Sequence, residues 1–175
     1  MIRTIVIGLA TATAMAVIPV AWAQSAKPEP RPYTQAFLKN AAEIQQAQIS
    51  LALLVDGRAA NKRVKEFAEH LIATHKRINR EIQEMAGRKG IPLPSELSDE
   101  HKQKLKDLTS LSGHAFDREY MQYILWEHQR DVQEFEESMQ TAEDPEVLHW
   151  SYRTLPMFRA HVEEARWIKQ SLQTS

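Results

Sequence analysis

Residues 62–88 read KRVKEFAEHLIATHKRINREIQEMAGR, and this stretch decides the fold. Val64, Phe67, Ala68, Leu71, Ile72, Ile78, Ile82 and Met85 recur at intervals of three and four, the spacing of one face of an α-helix. Asn61 stands where a helix N-cap belongs, while Gly87, Gly90, Pro92 and Pro94 close the segment. His75 fills the gap that this apolar stripe leaves between Ile72 and Ile78, so the buried face carries an imidazole.

Three more segments have the same period. Residues 34–58 carry Phe37, Ala41, Ile44, Ala47, Leu51, Leu54 and Val55; residues 114–140 carry Phe116, Tyr120, Ile124, Val132, Phe135 and Met139. Residues 145–172 carry Leu148, Tyr152, Leu155, Phe158, Val162, Ala165 and Ile168, and Asp144-Pro145 opens them with a capping side chain followed by proline. No stretch alternates with period two for long enough to form a strand, so the spacing predicts an all-α protein. Each segment is about 24–28 residues, or roughly 36–42 Å of helix. Short turns join the first to the second and the third to the fourth, giving two antiparallel helical hairpins. One apolar stripe per helix requires the hairpins to face each other, which is a four-helix bundle. The long connection over residues 90–112 contains a short amphipathic helix at 98–109 and permits either a crossover along the bundle or a local excursion. Pro156 predicts a kink or short break in the last helix.

The 175 residues include 43% hydrophobic types and 26% charged types, with net charge −1 and no cysteine. That length fits one domain with a real core. A near-neutral balance excludes the basic excess expected of a nucleic-acid partner. Without cysteine there is no disulfide, thiol nucleophile, thiolate metal site or lipoprotein anchor. At the start, Met1 and Arg3 precede an uncharged run over residues 5–20, and Ala21-Trp22-Ala23 follows with small residues where a signal peptidase reads. A cleaved leader over residues 1–23 is therefore expected, with a periplasmic or secreted product. Loss of Arg3 takes the balance from −1 to −2. Pro28, Pro30 and Pro32 stiffen a linker over 24–33, which leaves the helical domain at 34–173.

Polar residues on the buried stripes are the candidates for function. They are Glu43, His75, His128 and His161, one from each helix and each near mid-length by residue count from the nearest turn. Three imidazoles and a carboxylate pointing inward form a candidate metal site, because neutral imidazole suits zinc, copper, iron or nickel. The preferred alternative is a buried polar network, with Glu43, Asp117, Tyr120, Asp131 and Glu164 as hydrogen-bond partners of the histidines. Glu164, three residues after His161, is placed to orient that ring. His70, His101 and His114 fall on polar faces or helix ends and are set aside.

The sequence resembles the secreted bacterial family of domain of unknown function 4142, whose members look ferritin-like. The resemblance is carried by Asn40-x-x-Glu43-Ile44, Val64-Lys65-x-Phe67-Ala68, His75, Leu93-Pro94, Gly113-x-x-Phe116-Asp117-x-x-Tyr120, His128 and Leu155-Pro156 with His161. It implies a ferritin-like bundle and a periplasmic or outer-membrane-associated address, and it brings no activity. Thr74 departs from the acidic residue often found before the second-helix histidine in that family. A carboxylate di-iron centre needs Glu-x-x-His on two helices. Ile72 and Phe158 stand three residues before His75 and His161, and neither can ligate iron. Ser110, Ser112 and His114 lack a spaced acid for a hydrolase triad, and no glycine-rich phosphate loop occurs, so no catalytic residue is assigned. Trp126, Trp150 and Trp167 are expected at helix seams with one edge wet; two exposed together would mark a partner or lipid-headgroup surface. The sequence thus reads as an exported, non-enzymatic binding or envelope module, with a metal-binding or redox protein as the alternative.

Overall fold

The computed structural model describes residues 29–173; the leader, its cleavage site and residues 24–28 of the linker lie outside the described residues. The elements are α1 (Pro32–Leu53), α2 (Val55–Arg58), α3 (Lys62–Lys89), α4 (Asp99–Thr109), α5 (Gly113–Thr141) and α6 (Pro145–Ser171). The described chain is all-helical, as its periodicity requires.

The helix ends follow the side chains that mark them. Asn61 Oδ1 accepts from Arg63 N at 2.9 Å, and Asp144 Oδ1 accepts from Glu146 N and Val147 N at 3.0 and 3.2 Å. Each satisfies donors that have no partner within the first turn of a helix. Gly90 closes α3 with φ of 68°, a left-handed conformation that lets Ile91 N reach the Ala86 carbonyl at 2.9 Å. Three details differ from the sequence expectation. Helix α1 begins at Pro32 rather than Thr34, because proline at the first helical position is already set to the right φ. The first segment is interrupted at Leu54, whose N–H takes the tighter bond to Leu51 O at 3.2 Å before one further turn forms α2. Helix α6 runs through Pro156 without a break. The bond lost there is to the carbonyl of Tyr152, an exposed residue where water can take its place.

Contacts at the two ends fix the chain direction. The turn after α2 meets the start of α5: Asp117 accepts from Ala60 N at 3.2 Å and Asn61 N at 3.0 Å, and Arg58 donates to the Leu111 carbonyl at 3.2 Å. The end of α3 meets the start of α6 through Lys89, 2.6 Å from Asp144 and 3.0 Å from Glu146. The two hairpin turns therefore lie at opposite ends, α3 and α5 point the same way, and residues 90–112 travel the length of the molecule.

Two apolar clusters fill the interior. One gathers Leu51, Val64, Phe67, Leu71, Phe116, Ile124, Val162 and Ile168; the other gathers Phe37, Leu38, Ile78, Ile82, Phe135, Val147, Trp150 and Phe158. Fully burying one such side chain contributes about 1.5–3 kcal/mol. Each long stripe passes from one cluster to the other, and a layer of polar side chains lies at the crossing.

Trp150 is buried, with its indole N–H donating to Glu81 at 2.8 Å, whereas Trp126 and Trp167 are exposed. An arginine lies over each exposed ring, Arg130 at 4.6 Å from Trp126 and Arg63 at 4.7 Å from Trp167.

Candidate metal centre

Helix α3 delivers His75 between Leu71 and Ile78, α5 delivers His128 after Ile124, and α6 delivers His161 between Phe158 and Val162. All three rings are at most 1% exposed. One nitrogen from each lies within 4.8 Å of the others. Ring centroids are separated by 5.3 Å for His75 and His128, 5.1 Å for His128 and His161, and 5.7 Å for His75 and His161. Phe158 packs against His75 and His128 at 5.9 Å, and Phe67 stands edge-on to His161 at 6.2 Å.

Hydrogen bonding sets the tautomers. His75 Nδ1 is 2.6 Å from Gln45 Oε1, and His128 Nδ1 is 2.9 Å from the Ile124 carbonyl. Both partner atoms are acceptors, and the tautomer that matches them carries its proton on Nδ1. Each Nε2 is then a bare lone pair, yet the two Nε2 atoms are 3.3 Å apart. Two lone pairs at that distance repel unless a proton or a cation lies between them. Protonation is strongly opposed. Burial, reinforced by the neighbouring imidazoles, holds His75 well below the ordinary histidine range. Burial pushes His128 down to about 4 despite its bond to Ile124, and burial followed by its imidazole neighbours pushes His161 down to about 3. His161 has no hydrogen-bond partner at either nitrogen among the described residues. A buried imidazole with both nitrogens unpaired carries a desolvation cost that no hydrogen bond among the described residues offsets.

Nitrogens about 2.0–2.1 Å from one ion stand roughly 3.3 Å apart in tetrahedral geometry and about 3.5 Å apart in a plane. The His75 and His128 Nε2 atoms have that spacing, and a His161 nitrogen lies within 4.8 Å of the pair. The amide of Gln45 and the carbonyl of Ile124 stand behind two rings as orienting acceptors, the arrangement that aims metal-binding imidazoles.

Glu43 is not part of this group. Its carboxylate accepts from Ser98 N at 2.7 Å and faces His101 Nδ1 at 2.8 Å. His101, which its polar neighbours place on an exposed face, is instead buried at 3% exposure with Nε2 3.4 Å from Glu127. Burial opposes its charge, but the bonds from Glu127 and Glu43 outweigh it and raise His101 to about 9. The cause is tertiary: α4 lies against α1 and α5, and a helix's own periodicity does not report such a cover.

None of the other expected partners reaches the three imidazoles. Asp117 accepts from the turn before α3; Tyr120 OH is unpaired; Asp131 accepts from Gln48 Nε2 at 2.7 Å; Glu164 lies 3.8 Å from His70. Burial raises the Asp131 carboxyl well above its usual range, partly offset by that Gln48 bond. Gln45, the partner that does reach, was legible in principle: it follows Ala41 and Ala42 by four and three residues, on the buried face of α1.

The geometry can be set beside known proteins. A crystal structure of a DUF305 fragment from Deinococcus radiodurans superposes with a TM-score of 0.71 at 18% identity, covering 85% of this chain and 100% of that one. A structure of CopM in the Cu(I)-bound form superposes with a TM-score of 0.67 at 20% identity, covering 79% and 96%. At these identities the likeness shows a shared helical fold. No curated protein matches the sequence. The profile of Domain of unknown function (DUF4142) matches residues 20–168, nearly the whole helical chain and every buried histidine in it. With its motifs, its helices and that profile in agreement, the chain belongs to the DUF4142 family.

Proposed function

We propose that this protein binds one monovalent copper ion through His75, His128 and His161, and that it does so as an exported protein. The observation that carries the proposal is the pair of Nε2 atoms held 3.3 Å apart while both Nδ1 atoms face acceptors, Gln45 Oε1 and the Ile124 carbonyl, with a third imidazole beside them that has no hydrogen-bond partner among the described residues. A cation is the species that turns this repulsion into bonding. Neutral imidazole suits copper, zinc, iron and nickel. Charge and coordination number separate them. All three donors are neutral, and the surrounding side chains are largely apolar, so a monovalent ion buries less uncompensated charge than a divalent one. Zinc takes a fourth ligand, whereas these rings are enclosed by Phe158 and Phe67. The Cu(I)-bound form of a protein with the same fold supports the choice of metal, and the leader read at residues 1–23 supports export.

The test uses the leaderless chain purified without a histidine tag and titrated anaerobically with Cu(I) against a chromophoric copper chelator. One copper per chain is expected, lost on His128→Ala. Failure to withdraw copper from the chelator, or full stoichiometry retained by His128→Ala, overturns the site. Stoichiometric zinc in place of copper overturns the choice of ion.

A further inference from the structure

We infer that His70 is the gateway ligand of the buried site, the imidazole through which a copper ion reaches and leaves His161. This inference rests on the proposed copper site and adds the route to it.

The three imidazoles of the site are closed from solvent, and an apolar cluster lies on each side of them along the molecule. A bare ion cannot cross such an interior, because stripping its ligands in an apolar medium is far too costly. An ion can move only where each donor it leaves is replaced by another within reach. One side of the site offers that. His70, on α3 five residues before His75, has a half-exposed side chain, and its ring stands edge-on to His161 with centroids 5.3 Å apart. That separation falls between the 5.1 and 5.7 Å that divide His161 from its two partners inside. His161 is thus flanked by imidazoles on both sides, and its two nitrogens are both free of hydrogen bonds. The Glu164 carboxylate, itself half-exposed and 3.8 Å from His70 Nδ1, places negative charge at the outer end. From solvent inward the order is Glu164, His70, His161, then His75 with His128. Other rings against His161, Phe67 and Phe158, offer no donor.

The step is ligand exchange, with no change of oxidation state. An ion held by His70 bonds the one unprotonated nitrogen of His161, whose other nitrogen keeps its proton. The His161 ring then turns about its side-chain bonds, and the bond to His70 breaks as bonds to His75 and His128 form. Removal runs in reverse. His70 accordingly speeds both directions and leaves the equilibrium unchanged.

The experiment is stopped-flow transfer of Cu(I) between the leaderless protein and a chromophoric chelator, in both directions, with affinity measured separately. His70→Leu keeps bulk and removes the donor. It should slow loading and removal alike by about tenfold, the effect of about 1.4 kcal/mol on the exchange barrier, with stoichiometry and affinity as in the parent. His70→Met, which restores a soft donor, should recover the rate. His149→Leu, an exposed histidine at the other end of α6, should change nothing. Unchanged rates in His70→Leu overturn the gateway while leaving the buried site standing. A fall in affinity or stoichiometry in His70→Leu overturns it too, since His70 would then be a resident ligand. Absence of copper binding in the parent protein overturns the site itself, a result separate from either.

Discussion

Replacing His161 with leucine should leave the metal-free protein at least as stable as the parent, although the residue sits in the centre of the core. The ring is 1% exposed and neither nitrogen has a partner, so its removal breaks no hydrogen bond and orphans no other group. An unpaired buried polar group costs about 1–3 kcal/mol, and leucine has none to pair. Its neighbours Phe67, Phe158 and Val162 already form an apolar wall. Allowing for imperfect fit of leucine in a slot shaped for a flat ring, a gain of about 1–2 kcal/mol is expected, or roughly 2–8 °C in Tm for a chain of this size. Copper should have the opposite pattern. At a free concentration a hundredfold above Kd it should stabilise the parent by about 2.7 kcal/mol, and His161→Leu should lose most of that increment. Thermal unfolding followed by circular dichroism, with and without Cu(I) under anaerobic conditions, measures both. A metal-free variant less stable than the parent by more than about 1 kcal/mol would show that His161 is a structural partner and refute the reasoning.

His75→Leu should behave differently, because it strips Gln45 Oε1 of its donor in a buried setting; urea unfolding of the metal-free protein should show a loss of about 1–3 kcal/mol. Acid should destabilise the metal-free protein before it protonates the site. Unfolded histidines take up protons near pH 6.5, whereas folded His128 and His161 do so only at about 4 and about 3, so stability is full above pH 6.5 and falls as pH drops toward 4. The slope is up to about 1.4 kcal/mol per pH unit for each ring, and a flat urea midpoint between pH 6.5 and 4.5 would contradict it. His101 has the reverse sign. With its folded value raised to about 9, its contribution is complete below pH 6.5 and fades as pH rises through 9, an alkaline limb that His101→Gln should abolish. That variant leaves Glu43 and Glu127 without the cation between them and should cost about 3 kcal/mol, the low end for a broken buried pair because Arg130 still faces Glu127 at 3.4 Å. Hydrogen exchange should then rise across residues 98–109.

The helices were legible in the residues because their causes are local. Apolar spacing, Asn61 and Asp144 as caps, and Gly90 as a stop act within a turn or two of where they stand. The inward direction of His75, His128 and His161 follows from the same spacing, since a residue amid an apolar stripe goes where the stripe goes. Glu43 shows where that logic stops. It borders the stripe of α1, and which neighbour covers that edge depends on α4, a separate element of chain. His101 was misplaced for the same reason: its helix is polar overall, and only its docking buries it.

The sequence by itself determined the four long helices, the faces they bury and the presence of imidazole on three of those faces, because each is settled by residues within a few turns of one another. Only the tertiary structure decided the route of the connection, the cover over Glu43 and the meeting of the imidazoles. Hairpin turns at opposite ends still bring the three histidines to one level, since a residue near mid-helix has the same height counted from either end. Which lone pairs face each other, and which nitrogen is left unpaired, depends on Gln45, on the Ile124 carbonyl and on the exclusion of water. These are distances between separate helices, and no spacing along a single chain contains them.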